Sequence, residues 1–140
     1  MSGHTQKFEI RLEGRILRTY VKGAWSAQTA LKYEQALHNA LADFPPQPFA
    51  HLLFFNSWEL HTPDALPIIQ RTVDWIVARG MVCSAEVFQS NALKEFLLNK
   101  IDREGSGQLE IRRFNDEPEA MRWLAEQGFV TVTRLEDTRQ

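Results

Sequence analysis

Hydrophobic and polar residues alternate near the start of the chain, which is the pattern of a strand with one buried face. The apolar members are Phe8, Ile10 and Leu12, and the polar members are Glu9, Arg11 and Glu13. A second apolar-rich stretch, from Ile16 to Gly23, follows after a short turn at Gly14. The two strands are therefore predicted to pair antiparallel as a hairpin. Four basic residues are expected on the solvent side of this hairpin: Arg11, Arg15, Arg18 and Lys22.

The spacing of apolar residues changes to three and four after Ser26, which predicts an amphipathic helix. Ser26 is the predicted N-cap, because its hydroxyl can accept from the free N–H groups of the first turn. The helix is expected to end near Phe44, since a proline-rich segment begins at Pro45. His38 lies at the edge of the apolar stripe and is interpreted as a packed or surface side chain.

The run from Phe49 to Phe55 is apolar without alternation, apart from His51, and predicts a strand covered on both faces. The residues from Asn56 to Asp64 are predicted to form the loop that leaves the carboxyl end of this central strand. Ligands of α/β folds often bind at such loops, so a functional site is expected here first.

A second helix is predicted from Asp64 to the C-terminal cap at Gly80. Its start follows from Pro67, because a proline beyond the first turn removes a hydrogen bond and clashes with the preceding turn. A start at Thr62 would place Pro67 too deep in the helix. Asp64 is therefore the predicted N-cap, with Thr62 and Pro63 as a turn leading in.

The second half of the chain continues to alternate between strands and helices. A strand is predicted from Met81 to Phe88, a helix opening at Ser90, and a fifth strand from Leu109 to Phe114. Asp116 and Glu119 have the spacing of a capping box, which predicts a last helix that ends at Gly128.

The element order is β-β-α-β-α-β-α-β-α, which predicts an α/β fold with a mixed five-stranded sheet and four helices. A chain of 140 residues is the size of one domain. The core of this domain is expected to span residues 8–127, with residues 128–140 as a tail. Residues 129–133 have strong β-propensity and are expected either to add an edge strand or to mediate homo-oligomer contacts.

Net charge, cysteine content and the polar N-terminus limit the kinds of partner and the cellular location that are expected. The net charge of −2 provides no electrostatic argument for a nucleic-acid or anionic-membrane partner. The single cysteine, Cys83, excludes an internal disulfide and is interpreted as a small buried hydrophobe. The polar N-terminus lacks a signal-peptide core and no apolar run reaches the length of a membrane span, so a cytoplasmic location is expected.

The chain resembles the STAS domain (sulfate transporter and anti-sigma-factor antagonist), specifically its SpoIIAA-like branch. The similarity covers roughly residues 8–127. The matching segments are Val21-Lys22-Gly23-Ala24-Trp25-Ser26, Tyr33 with the Leu37–Leu41 stripe, the apolar third strand, Thr62-Pro63-Asp64-Ala65, Asp74-Trp75, and Asp116 to Leu124. The resemblance implies a mostly non-enzymatic bacterial regulator that binds a protein partner and is switched by phosphorylation of a serine.

That serine lies where the second helix begins, in an Asp-Ser-Ser-Gly type of motif. The corresponding segment here is Thr62-Pro63-Asp64-Ala65, which has no serine and no glycine. The phosphorylation switch therefore cannot simply be transferred to this chain. Thr62 and Ser57 are the nearest hydroxyls, and Thr62 is interpreted as a turn or capping residue.

Catalytic and metal-binding patterns are absent from the sequence. There is no Gly-x-Ser-x-Gly elbow, no phosphate-binding or dinucleotide glycine motif, and the four histidines are dispersed. The chain is accordingly predicted not to be an enzyme and to carry neither a metal nor a cofactor.

The candidate binding residues lie at the carboxyl end of the central strand: Trp25, Ser57, Trp58, Glu59, Leu60, His61, Thr62 and Asp64. Trp58 and Leu60 are large and apolar for a loop. They either fold under it to close the core or line a contact surface. The preferred hypothesis is protein–protein contact through this loop and the outward side of the second helix. The alternative is a small apolar or lipid-like ligand held between the helices and the sheet.

Overall fold

The computed structural model describes residues 7–88 and 109–130, with residues 56–60 described by their backbone. In chain order the elements are β1 (Phe8–Glu13), β2 (Ile16–Trp25), α1 (Ala27–Ala40), β3 (Phe49–His61), a 3-10 turn (Pro63–Ala65), α2 (Leu66–Arg79), β4 (Met81–Val87), β5 (Glu110–Phe114) and α3 (Glu117–Glu126). The described residues thus contain three α-helices. The helix predicted to open at Ser90 lies outside them.

The five strands form one sheet in the order β1-β2-β3-β4-β5, which confirms the predicted mixed α/β sheet. β1 and β2 pair antiparallel across the Gly14 turn, as predicted. All other neighbours are parallel, as expected for strands joined by helical crossovers. β3 therefore lies at the centre of the sheet, between β2 and β4.

The two faces of the sheet carry different helices. One face, here called the α1/α2 face, packs Leu17 and Phe49 against Leu37 of α1 and Ile76 of α2. The opposite face, here called the α3 face, packs strand residues such as Leu52 against α3. The alternation of side chains along each strand thus divides the apolar core into two layers, which explains why the β3 run contains little polar sequence.

The caps of α1 and α3 are as predicted. The Ser26 hydroxyl accepts a hydrogen bond from the Thr29 amide at 3.3 Å. Asp116 Oδ1 accepts from the Glu119 amide at 2.9 Å. Each cap satisfies one of the backbone donors that a first helical turn leaves free.

The prediction of a loop from Asn56 to Asp64 is wrong over most of its length. β3 continues to His61, and its last residues pair with the end of β2, so that Gly23 lies beside Trp58 and Trp25 beside His61. The register shifts twice along this pair, next to Lys22 and next to Ala24. Such irregularities allow a strand to continue through polar sequence, because backbone pairing rather than side-chain alternation maintains it.

The predicted N-cap at Asp64 is also wrong. Thr62 is the capping position of the 3-10 turn. α2 begins directly after this turn, at Leu66, and Pro67 is its second residue. Pro67 therefore lies in the first turn, where it removes no hydrogen bond, as the sequence argument required. At the other end, the predicted cap at Gly80 has a φ of +130°, a conformation that favours glycine.

Arg18 is not on the solvent side of the hairpin. It is only 9% exposed and lies on the α3 face, where it bonds Glu13 at 3.1 Å and Glu117 at 2.9 Å. Its guanidinium also lies over the ring of Phe54. Two carboxylates and an aromatic ring compensate for the burial of this charge, and they tie the start of α3 to β2.

The core extends into the segment after α3. Phe129 is 5% exposed and packs in the core of the α3 face, and its amide donates to Leu124 O at 2.9 Å. Neither Phe129 nor Val130 is in a strand. The remainder of the predicted β-prone tail, residues 131–133, lies outside the described residues.

Candidate binding site

The carboxyl end of β3 carries an exposed turn. Thr62, Pro63 and Asp64 are all exposed, and the Thr62 hydroxyl donates to the Asp64 carboxylate. The Thr62 amide donates to Trp25 O at 2.9 Å, which fixes the turn to the end of β2. His61 is half-buried, and its Nδ1 lies 2.9 Å from Thr62 O. The structure thus brings four predicted site residues together at one edge of the sheet.

Trp25 is at this edge but belongs to the core. It is 3% exposed, its indole N–H donates to Lys22 O at 3.0 Å, and its ring packs edge-on against Phe8 and Tyr33. The backbone of Ser57, Trp58, Glu59 and Leu60 is in β3. Which surface the side chains of these four residues form stays a prediction.

A cleft lies on the α1/α2 face of the sheet, and Trp25 forms part of its wall. Its volume is about 90 Å³, and the space that also includes open solvent is about 710 Å³. Its described lining comprises Val21, Trp25, Tyr33, His51, Leu53, Phe55, Ile69, Thr72, Val73, Ile76, Met81, Ser84, Glu86, Leu109 and Ile111. The walls are mostly apolar side chains from both the strands and α2. The polar groups are concentrated on the strands that form the floor.

A buried hydrogen-bonded group crosses the floor of the cleft. His51 Nε2 lies 3.1 Å from the hydroxyl of Thr19, a hydrogen-bonding distance. Thr19 is fully buried and His51 is 5% exposed. Burial lowers the pKa of His51 to about 4 and raises the pKa of Tyr33, so both side chains are neutral near pH 7.

Two further polar residues of the floor come from β4. Ser84 lies beside His51 in the strand register, and Glu86 lies beside Leu53. Both are 3% exposed. The Glu86 carboxylate accepts from Arg113 Nε of β5 at 3.0 Å, so its charge is compensated within the sheet.

The sequence carries a signal for these floor residues. His51 interrupts an apolar strand, and Ser84 and Glu86 interrupt another. A charged or titratable residue in a strand buried on both faces needs a buried partner or a site, so such interruptions mark candidates.

Two other side chains with titratable groups, Cys83 and His38, are packed against their neighbours in the fold. Cys83 is buried on the α3 face, and burial together with nearby Glu110 raises its pKa to about 11, which keeps the thiol protonated. His38 stacks on Trp75 with ring centroids 3.9 Å apart, as a packed histidine.

Within residues 7–88 and 109–130, no cluster of three or more His, Cys, Asp or Glu side chains is arranged to hold a metal ion. In the same part of the chain, no helix is long and apolar enough to cross a membrane.

Comparisons with known proteins identify the class of fold. No family model and no curated protein matches the chain. A structure of an uncharacterised DUF3478-family protein with a SpoIIAA-like fold, from Shewanella loihica, aligns with a TM-score of 0.63 and 16% identity, over 84% of this chain and 91% of that one. An anti-sigma factor antagonist from Mycobacterium paratuberculosis aligns with a TM-score of 0.55 and 18% identity, over 84% and 92% of the two chains.

These similarities define the chain as an α/β protein with the STAS-type, SpoIIAA-like fold, and they confirm at the level of the fold the resemblance drawn from the sequence. The similar structures are matched over almost their whole length, so the shared part is the complete fold of those chains.

Proposed function

We propose that this chain is a non-catalytic, cytoplasmic bacterial regulatory module of the STAS type that acts through contact with another protein. The observation that carries the proposal is the exposed Thr62–Asp64 turn at the carboxyl end of the central strand. This is the position at which α/β folds usually meet their ligands and partners. The fold similarity to an anti-sigma factor antagonist favours a regulatory role.

The proposed contact face comprises the end of β3, the turn and the outward side of α2. Asp64 and Asp74 are exposed there and give the face an acidic character. Arg71, also exposed, is held in an ion pair with Glu34 of α1 and so contributes little free positive charge. An acidic surface of this kind suits a partner with a complementary basic patch.

The proposed module works without the family's phosphorylatable serine. The hydroxyl nearest to the start of α2 is that of Thr62, which donates its proton to Asp64 within the turn. This pairing stabilises the lead into the helix and supports a turn-forming role for Thr62. We therefore propose that partner binding depends on the shape and charge of the face.

Affinity capture from the native host, with the captured proteins quantified by mass spectrometry, tests this proposal. The double variant Asp64→Lys and Asp74→Lys should lower partner capture at least about tenfold, because complementary charges become repulsive. Trp58→Ala tests the end of β3 in the same way. The matched control is Glu126→Lys, which reverses an exposed acid on α3, on the other side of the sheet. Equal capture by all variants, with their folding verified by circular dichroism, would reject the proposed face.

A second function is favoured by the cleft on the α1/α2 face. Its apolar walls and polar floor are typical of a site for a small apolar or amphipathic ligand. Native mass spectrometry of the gently purified protein tests this function. A co-purifying small molecule that is lost on denaturation is expected. A ligand-free mass together with no thermal shift from a panel of lipids would argue against it.

We also propose a homo-oligomer contact through residues 129–133. Because Phe129 packs in the core, the truncation that tests it should follow Val130. Sedimentation of this truncated chain is expected to show a smaller assembly than the full chain. An unchanged mass would remove the role of the tail.

A further inference from the structure

The floor of the cleft presents a buried hydroxyl. Ser84 is 3% exposed, lines the cleft and lies beside His51 in the register of β3 and β4. His51 Nε2 lies within hydrogen-bonding distance of the Thr19 hydroxyl, so this nitrogen is not a partner of Ser84. No side chain in the described part of the chain forms a hydrogen bond to the Ser84 hydroxyl. A buried polar group of this kind in an apolar cavity marks the point where the polar part of a ligand is received.

The charges around the cleft restrict what that polar part can be. Glu86 is the only charged residue in the described lining, and its charge is already matched by Arg113. His51 is neutral near pH 7, because burial lowers its pKa to about 4. An anionic head group would therefore lose its hydration beside a carboxylate, without a cation in the described lining to compensate. A cationic head group would add an unbalanced charge next to the Glu86–Arg113 pair.

A hydroxyl meets these conditions. It can donate to and accept from Ser84 at the same time, and it needs no counter-ion. The apolar walls, formed by residues such as Leu53, Phe55 and Ile69, would surround an alkyl body. Binding of this kind takes its free energy mainly from the buried apolar area, and the head group determines the orientation.

We infer that the cleft binds an uncharged amphipathic molecule, with an alkyl body between α2 and the sheet and a hydroxyl head hydrogen-bonded to Ser84. This inference rests on the ligand-binding function proposed above and adds the chemical class of the ligand. It distinguishes alcohols from the fatty acids and amines that have the same alkyl chain.

Three probes with one alkyl chain test the inference on the full chain: decan-1-ol, decanoate and decylamine, measured by isothermal titration calorimetry. Decan-1-ol should bind at least about tenfold more tightly than either charged probe, since an uncompensated buried charge is strongly disfavoured. Ser84→Ala should weaken decan-1-ol about five- to tenfold, the loss expected for one net hydrogen bond. Cys83→Ala is the matched control, because this neighbouring small residue faces the opposite side of the sheet.

Each outcome has one meaning. Equal binding of the three probes, or tighter binding of a charged probe, overturns the inference and leaves the ligand-binding function in place. Decan-1-ol affinity that is unchanged in Ser84→Ala overturns the role of Ser84. Binding of none of the probes removes both the function and the inference. The comparison of probes uses the wild-type chain, and Ser84→Cys, nearly isosteric but a weak hydrogen-bonding group, replaces Ser84→Ala if that variant does not fold.

Discussion

The buried histidine of the cleft floor should make the stability of this protein depend on pH. His51 is 5% exposed and its pKa is lowered by burial to about 4, from an ordinary value of 6.5. Above pH 6.5 the side chain is neutral in both the folded and unfolded chain, so it adds no pH dependence. Between pH 6.5 and about 4 the unfolded chain binds a proton that the folded chain does not, so stability falls as the pH falls.

The size of the effect follows from the lowered pKa. A difference of one pKa unit corresponds to about 1.4 kcal/mol, so the full change from the ordinary value amounts to about 3 kcal/mol below the folded-state pKa. This is a large part of the free energy of unfolding that a single domain typically has, roughly 5–15 kcal/mol. Acid should therefore destabilise the α1/α2 face of the sheet, where His51 is packed with Thr19 and Tyr33.

Urea unfolding followed by tryptophan fluorescence, repeated over this pH range, measures the effect. The informative comparison is with His51→Gln, which does not titrate but keeps an amide that can hydrogen-bond to Thr19. Carboxylates titrate equally in both proteins, so the difference in unfolding free energy between them isolates His51. The wild type should lose about 3 kcal/mol relative to the variant between pH 6.5 and 4. A difference that stays constant across this range, within about 0.5 kcal/mol, would refute the reasoning.

Substitutions at three further positions test individual elements of the fold by urea unfolding. Arg18→Met should destabilise the chain by about 1–3 kcal/mol, because two partly exposed carboxylates lose their buried cation; an unchanged midpoint would mean that the network adds nothing. Asp116→Ala should cost about 1 kcal/mol through loss of the α3 cap, whereas Asp116→Asn should cost much less. Gly80→Ala should cost roughly 1–3 kcal/mol, since a Cβ at a φ of +130° would lie 2.9 Å from Gln47 O; a neutral result would contradict the backbone conformation at that cap.

The parts of the fold that local sequence determines were predictable. The Gly14 turn, the caps at Ser26 and Asp116 and the helix end at Gly80 each depend on a few adjacent residues, and the structure has all of them. The extension of β3 to His61 was not predictable in this way. It is maintained by backbone pairing with the end of β2, more than thirty positions away in sequence, which a local pattern does not contain.

The burial of polar residues was also not predictable from the local sequence. Arg18 was assigned to solvent together with the other basic residues of the hairpin, but its partner Glu117 lies 99 positions away in sequence. The cleft has the same origin, since its polar floor combines residues of β3 and β4 that are far apart in the chain. Of the predicted site residues, Trp25, His61, Thr62 and Asp64 lie at one edge of the sheet. His51, Ser84 and Glu86 were not among the predicted residues.

The central proposal is protein contact through the end of β3 and α2. Its most direct test compares hydrogen–deuterium exchange of the chain alone with exchange of the chain in complex with its captured partner. We expect added amide protection in residues 56–79, which include the exposed turn and the helix, and unchanged exchange in α3 (Glu117–Glu126). Protection confined to α3, or absent from residues 56–79, would contradict the proposed contact face.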